Sequence, residues 1–136
     1  MRKITEDGRP PDIVVGHHDH NRLAALADAV LDRLPELAET LLSELDRATV
    51  VADASIPAGI VRMGSTVEYE TPDDRRRVTL VYPEDADIET GRVSVLTPIG
   101  TALLGLSAGQ SIRWIRRDGR EQLLTVIAVE PPAADG

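Results

Sequence analysis

The stretch VLDRLPELAET, residues 30–40, places Asp32, Glu36 and Glu39 around Leu34-Pro35. Carboxylates are hard oxygen ligands, so three at the tip of a helical turn could hold or complete the shell of a divalent cation. Arg33 lies among them and competes for the same oxygens. A second cluster is His17, His18 and His20, whose imidazoles suggest zinc. Such a site needs three or four convergent ligands, and the chain has no other histidine and no cysteine, so only carboxylates could complete it. A polar helix start is the more economical reading, and no metal or other cofactor is expected. Arg75-Arg76-Arg77 follows Asp73-Asp74 and reads as a solvated turn flank rather than a phosphate site.

The rest of the composition narrows what these groups can serve. A chain of 136 residues fits one domain, and its core must be aliphatic, since it has no Phe and only Tyr69, Tyr82 and Trp114 as aromatics. Stacking platforms for single-stranded nucleic acid have almost nothing to build with. A formal net charge of -8 argues against holding nucleic acid by phosphate neutralisation and favours a basic protein surface as partner. The absence of cysteine rules out disulfides and thiolate chemistry and suits the cytoplasm, the expected location. No stretch approaches the roughly 20 apolar residues of a membrane span, and the N-terminus lacks the apolar run of a signal peptide.

Patterning supplies the elements that must position the candidates. Residues 1–18 are expected to form a loose N-terminal arm, because their first twelve are polar and carry Gly8, Pro10 and Pro11. Leu23, Leu26, Ala27, Val30 and Leu34 recur at helical spacing, with Asp19 where an N-cap belongs. Pro35 suits the first turn of a second helix, PELAETLLSELDRATVV, with apolar positions at Leu34, Leu37, Leu41, Leu45 and Ala48. Residues 19–50 are thus read as a short antiparallel hairpin with a coiled-coil seam, about 20 Å long at about 1.5 Å per residue. Residues 51–62 read as a linker. From 63 to 132 five short stretches rich in Val, Ile and Thr predict a mostly antiparallel sheet: STVEYET, RRVTLVYP, GRVSVLTP, QSIRWIR and EQLLTVIAVE. Turns are expected at Pro72-Asp73, Pro83-Glu84-Asp85, Gly91 and Asp118-Gly119. A short helix begins at Pro98 and ends at Gly105, and residues 133–136 form a tail. The fold class is α+β.

Four strings carry a resemblance. They are Asp19-His20-Asn21-Arg22-Leu23, Ser43-Glu44-Leu45-Asp46-Arg47-Ala48, Thr79-Leu80-Val81-Tyr82-Pro83 and Pro98-Ile99-Gly100-Thr101-Ala102-Leu103-Leu104-Gly105-Leu106. In this order and over residues 13–130 the chain resembles the regulator of nucleoside diphosphate kinase (Rnk) family. Its C-terminal part is similar to the C-terminal domain of the Gre-type transcript cleavage factors, which implies an FKBP-like sheet with one short helix. The resemblance implies a cytosolic, monomeric ligand of bacterial RNA polymerase that docks on the rim of the secondary channel, with no sequence-specific contact to nucleic acid and no membrane. Carried over by motif, the docking positions are Thr97, Pro98, Ile99, Ala102, Leu103 and Leu104. Leu103 and Leu104 cannot both point outward, so at least one is expected in the core.

Gre-type factors reach a long hairpin down that channel and present tip carboxylates to the catalytic magnesium. Their arms are several turns longer than this one, so the expectation is a non-enzymatic regulator with no catalytic residue, competing at the channel mouth with longer factors. The alternative is transcript cleavage by Asp32 with Glu36 or Glu39. Prolyl isomerisation is a third reading, weakened by the scarcity of aromatic rings to line a pocket.

Overall fold

The computed structural model describes residues 2–5, 8–115 and 120–132. The tail at 133–136 and the turn at Asp118-Gly119 lie outside the described residues. In chain order the elements are β1 (Arg2–Ile4), β2 (Val14–Gly16), α1 (His17–Val30), α2 (Pro35–Arg47), β3 (Thr49–Val51), β4 (Thr66–Thr71), β5 (Asp74–Val81), β6 (Arg92–Ser94), α3 (Pro98–Leu103), β7 (Ser111–Ile115) and β8 (Glu121–Glu130). Among the described residues six strands form one sheet in the order β1-β7-β8-β4-β5-β6, antiparallel except for the β5–β6 pair. β2 and β3 form a separate parallel pair.

The alternation read from the sequence is the alternation observed. In β4, Val67 and Tyr69 face inward, and in β8, Leu124 and Val126 do so. They join Leu80 and Ile112 in a core that continues without a break into the helices. Leu23, Ala27 and Val30 of α1 and Ala38, Leu41 and Leu45 of α2 are buried in that same cluster, so the thin helical seam leans on the sheet. Leu34, expected on the seam, is 41% exposed at the connection between the two helices. At the far edge of the sheet, the backbone of Arg92 exchanges hydrogen bonds with Asp87, and the Ser94 carbonyl accepts from the Thr97 amide. The flanks of β6 thereby close the outer edge of their own strand.

Three expectations are corrected. Helix α1 starts at His17, not Asp19, and its N-cap is Gly16. The first-turn amide of His18 donates instead to the Asp53 carboxylate at 3.0 Å, from a 3-10 turn far along the chain. Helix α2 stops at Arg47, because the β-branched run Thr49-Val50-Val51 pairs with β2 rather than extending the helix. The arm is not loose: Arg2–Ile4 pairs antiparallel with Ile115–Arg113 of β7.

The reason for the last correction is Lys3. Its ammonium is buried and donates at 3.0 Å to the carbonyls of Thr101, Ala102 and Leu104, and it lies 2.8 Å from Glu44 Oε1 of α2. Burial pulls the Lys3 pKa below its ordinary value and pushes that of Glu44 above its own, each shift opposed by the charge of the other. Glu44 Oε2 has no hydrogen-bond partner. A pair of this kind is held by mutual need. Removing either charge alone should cost about 3–5 kcal/mol, because the other is stranded, whereas replacing both with apolar groups should cost far less. Urea unfolding of Lys3→Met, Glu44→Leu and the double variant checks this, and a double variant as unstable as the sum of the singles would contradict it.

Candidate functional site

The carried-over docking segment begins where Thr97 caps α3. Its Oγ1 accepts from the Gly100 amide at 3.1 Å and donates to the Ser94 carbonyl at 2.7 Å, fixing the turn into the helix. Pro98 occupies the first helical turn, where a missing amide costs nothing. Thr101 Oγ1 donates to the Val95 carbonyl at 2.7 Å. Gly100 lets the helix lie directly on the chain before it, since a Cβ there would run into the Ser94 carbonyl oxygen and sit 2.9 Å from Val95 Cα. At the other end Gly105 turns the chain with φ of 79°, and a Cβ there would meet Ile13 Cβ at 2.5 Å.

This geometry divides the six candidates. Ala102, Leu103 and Leu104 are buried in the core, at 1%, 0% and 1% exposure, so both leucines face inward. Thr97 and Ile99 are half-buried and Pro98 is exposed, leaving Thr97-Pro98-Ile99 as the accessible corner.

The acidic tip has a different character. Asp32, Glu36 and Glu39 are exposed around the short connection between α1 and α2. Among the described residues no three acidic or histidine side chains group as a metal-ligand set, at the tip or at the histidines. His17 and His18 are exposed, and His20 Nε2 is 3.0 Å from the Leu45 carbonyl near the end of α2, tying the base of the two helices together. Arg75, Arg76 and Arg77 are exposed and pair with Glu68, Asp74 and Glu130, each at 2.6 Å.

Sequence reasoning missed a junction between α1 and the segment that follows β5. The Tyr82 hydroxyl donates to Asp19 at 3.0 Å, the Arg22 guanidinium lies 3.6 Å from the centre of the Tyr82 ring, and Arg22 pairs with Glu84 at 2.8 Å. Burial, with the Asp19 charge, raises the Tyr82 pKa well above its ordinary value. The signal was present, since Asp19 and Arg22 belong to one motif string and Tyr82 to another, yet nothing in either string says that they meet.

Comparison with known proteins follows this division of the chain. Residues 56–131 match the family described as transcription elongation factor GreA/GreB, C-term, and residues 11–51 match the Rnk N-terminus family. Strands β4 to β8 with α3 are thus of the GreA/GreB C-terminal class. The chain is 34% identical over 128 residues to the regulator of nucleoside diphosphate kinase of Escherichia coli K12, covering 91% of this chain and 94% of that protein. It is 38% identical over 68 residues to transcription elongation factor GreA of Rhodospirillum rubrum, 48% of this chain and 43% of that one. The solved structure of a prokaryotic transcription elongation factor GreA/GreB from Nitrosomonas europaea superposes with a TM-score of 0.72 at 34% identity, covering 89% of this chain and 99% of that one. The chain belongs to the regulator of nucleoside diphosphate kinase family, as its motif strings implied. No helix among the described residues is long and apolar enough to cross a membrane.

Two outcomes follow for the junctions. Gly100→Ala should destabilise the fold by about 1–3 kcal/mol through overpacking, read as a lower urea midpoint. Tyr82, with its raised pKa, contributes stability that is whole below pH 10.0, the ordinary tyrosine value, and declines as pH rises further and the unfolded tyrosine ionises. Tyr82→Phe should therefore be less stable at neutral pH and should lose less on going to pH 11, as thermal melts across that range would show.

Proposed function

We propose that this protein is a non-catalytic transcription regulator that binds bacterial RNA polymerase at the rim of the secondary channel and competes there with Gre-type factors. The observation that carries the reading is a GreA/GreB-class sheet preceded by helices of only 14 and 13 residues. At about 1.5 Å per residue these reach about 20 Å, too short a lever to bring a tip to a catalytic centre deep in a channel. The same reading takes the two helices as a short antiparallel coiled-coil hairpin and the sheet with α3 as an FKBP-like domain. Docking falls to Thr97, Pro98 and Ile99, and the protein acts in the cytoplasm as a monomer. Any influence on nucleoside diphosphate kinase runs through transcription.

Exposure of Asp32, Glu36 and Glu39 at the tip favours one rival, transcript cleavage through Asp32 with Glu36 or Glu39. Purified protein should co-elute with core polymerase at micromolar concentration and displace a Gre-type factor. Pro98→Asp, at an exposed position that tolerates an acidic residue in the first helical turn, should weaken that competition several-fold. The triple variant Asp32→Asn, Glu36→Gln, Glu39→Gln should compete as well as the parent. Failure to bind core polymerase would refute the docking. Release of short RNA from stalled elongation complexes, abolished by Asp32→Asn, would instead establish the rival.

A further inference from the structure

Helix α3 has only six residues, too short to hold its own shape in water. Its accessible corner is therefore as well defined as its attachments. At the N-terminal end Thr97 and Thr101 bond to the preceding chain. At the C-terminal end the carbonyls of Thr101, Ala102 and Leu104, which no further helical turn receives, converge on one ammonium. That ammonium comes from outside the region matched by the GreA/GreB family, from the strand β1 at the start of the chain. Lys3 sits in register opposite Trp114 of β7, which fixes its backbone, while Glu44 of α2 holds its charge. Arg47, one turn further along α2, donates to the Pro11 carbonyl at 2.6 Å and pins the returning segment.

We infer that Lys3 is a positioning residue for the docking corner. It acts through the C-terminal carbonyls of α3, and β1 is a strap that couples the helix pair to Thr97-Pro98-Ile99. The inference rests on the reading that this corner is the one that docks. A cation is favoured at a helix C-terminus, and a compact ammonium fits among three carbonyls and a carboxylate oxygen, its three N–H donors shared among the four. The strap adds no contact surface of its own. It holds the angle at which α3 leaves the sheet.

The test uses the full chain with Lys3→Met/Glu44→Leu, which removes both buried charges and keeps apolar volume, beside Val78→Ala in β5 as a destabilised control that leaves β1 and α3 untouched. Amide hydrogen exchange reports α3 directly, through the Thr101 and Leu104 amides bonded to Thr97 and Gly100. Displacement of a Gre-type factor from core polymerase reports docking. The double variant should exchange those two amides at least tenfold faster and compete about tenfold more weakly, with β8 amides unchanged. The Val78→Ala control should leave both readouts at parental values. Unchanged α3 exchange in the double variant overturns the inference, as does an equal loss of competition in the control. If the parent itself fails to bind polymerase, the docking reading falls, while faster α3 exchange in the double variant still upholds the strap's hold on the helix.

Discussion

One buried ammonium organises this molecule. Moving the charge of Lys3 out of water is costly, and the cost is met only because four oxygens from two helices are gathered around it. Each of those oxygens has its own reason to need a donor: three are terminal carbonyls of a short helix, and the fourth belongs to a carboxylate buried on α2. Hydrophobic burial is not directional and by itself specifies the placement of α1 and α2 less sharply than a bonded contact does. The ion pair has direction, and it fixes where α2 stands relative to α3 and β1.

The four strings that carried the family resemblance acquire a physical meaning from this. Glu44 belongs to one and the carbonyls of Thr101, Ala102 and Leu104 to another, and Lys3 joins them. Asp19 and Arg22 belong to a third and Tyr82 to the fourth, and they meet directly. The strings are largely the two ends of two junctions that fasten the helix pair to the sheet. They mark architecture first, and the part of them left for a partner is the exposed corner at Pro98. This also separates the exposed tip acids from the motif strings: Asp32, Glu36 and Glu39 sit outside all four.

How much could be read from the sequence follows the range of each cause. Strands β4, β7 and β8 were legible because alternation is local, and Gly105 and Pro98 bounded α3 by their own backbone preferences. The start of α1 was misplaced because the carboxylate that accepts its first-turn His18 amide, Asp53, is 35 residues away, and no local rule reaches that far. Strand β1 escaped notice because a lysine at a buried position looks like solvent-facing polarity until its acceptors are known. The candidate site was half legible. A proline turn before an apolar run announced α3, but only the fold decides that Ala102, Leu103 and Leu104 turn inward while Thr97, Pro98 and Ile99 remain reachable. The end of α2 was a local misreading, since Thr49-Val50-Val51 already favoured a strand.

The pairing of β1 with β7 has a consequence for the order of assembly. Lys3 is synthesised well before its partners, since its carbonyl acceptors lie 98, 99 and 101 positions later and the strand opposite β1 ends at Ile115. Strand β1 must wait, unpaired, until β7 has been made, and closing so long a loop is an entropic cost met before any contact rewards it. The helices can form early, but their seating cannot be completed until the strap arrives. Strand β1, made before both helices, is thus seated after them.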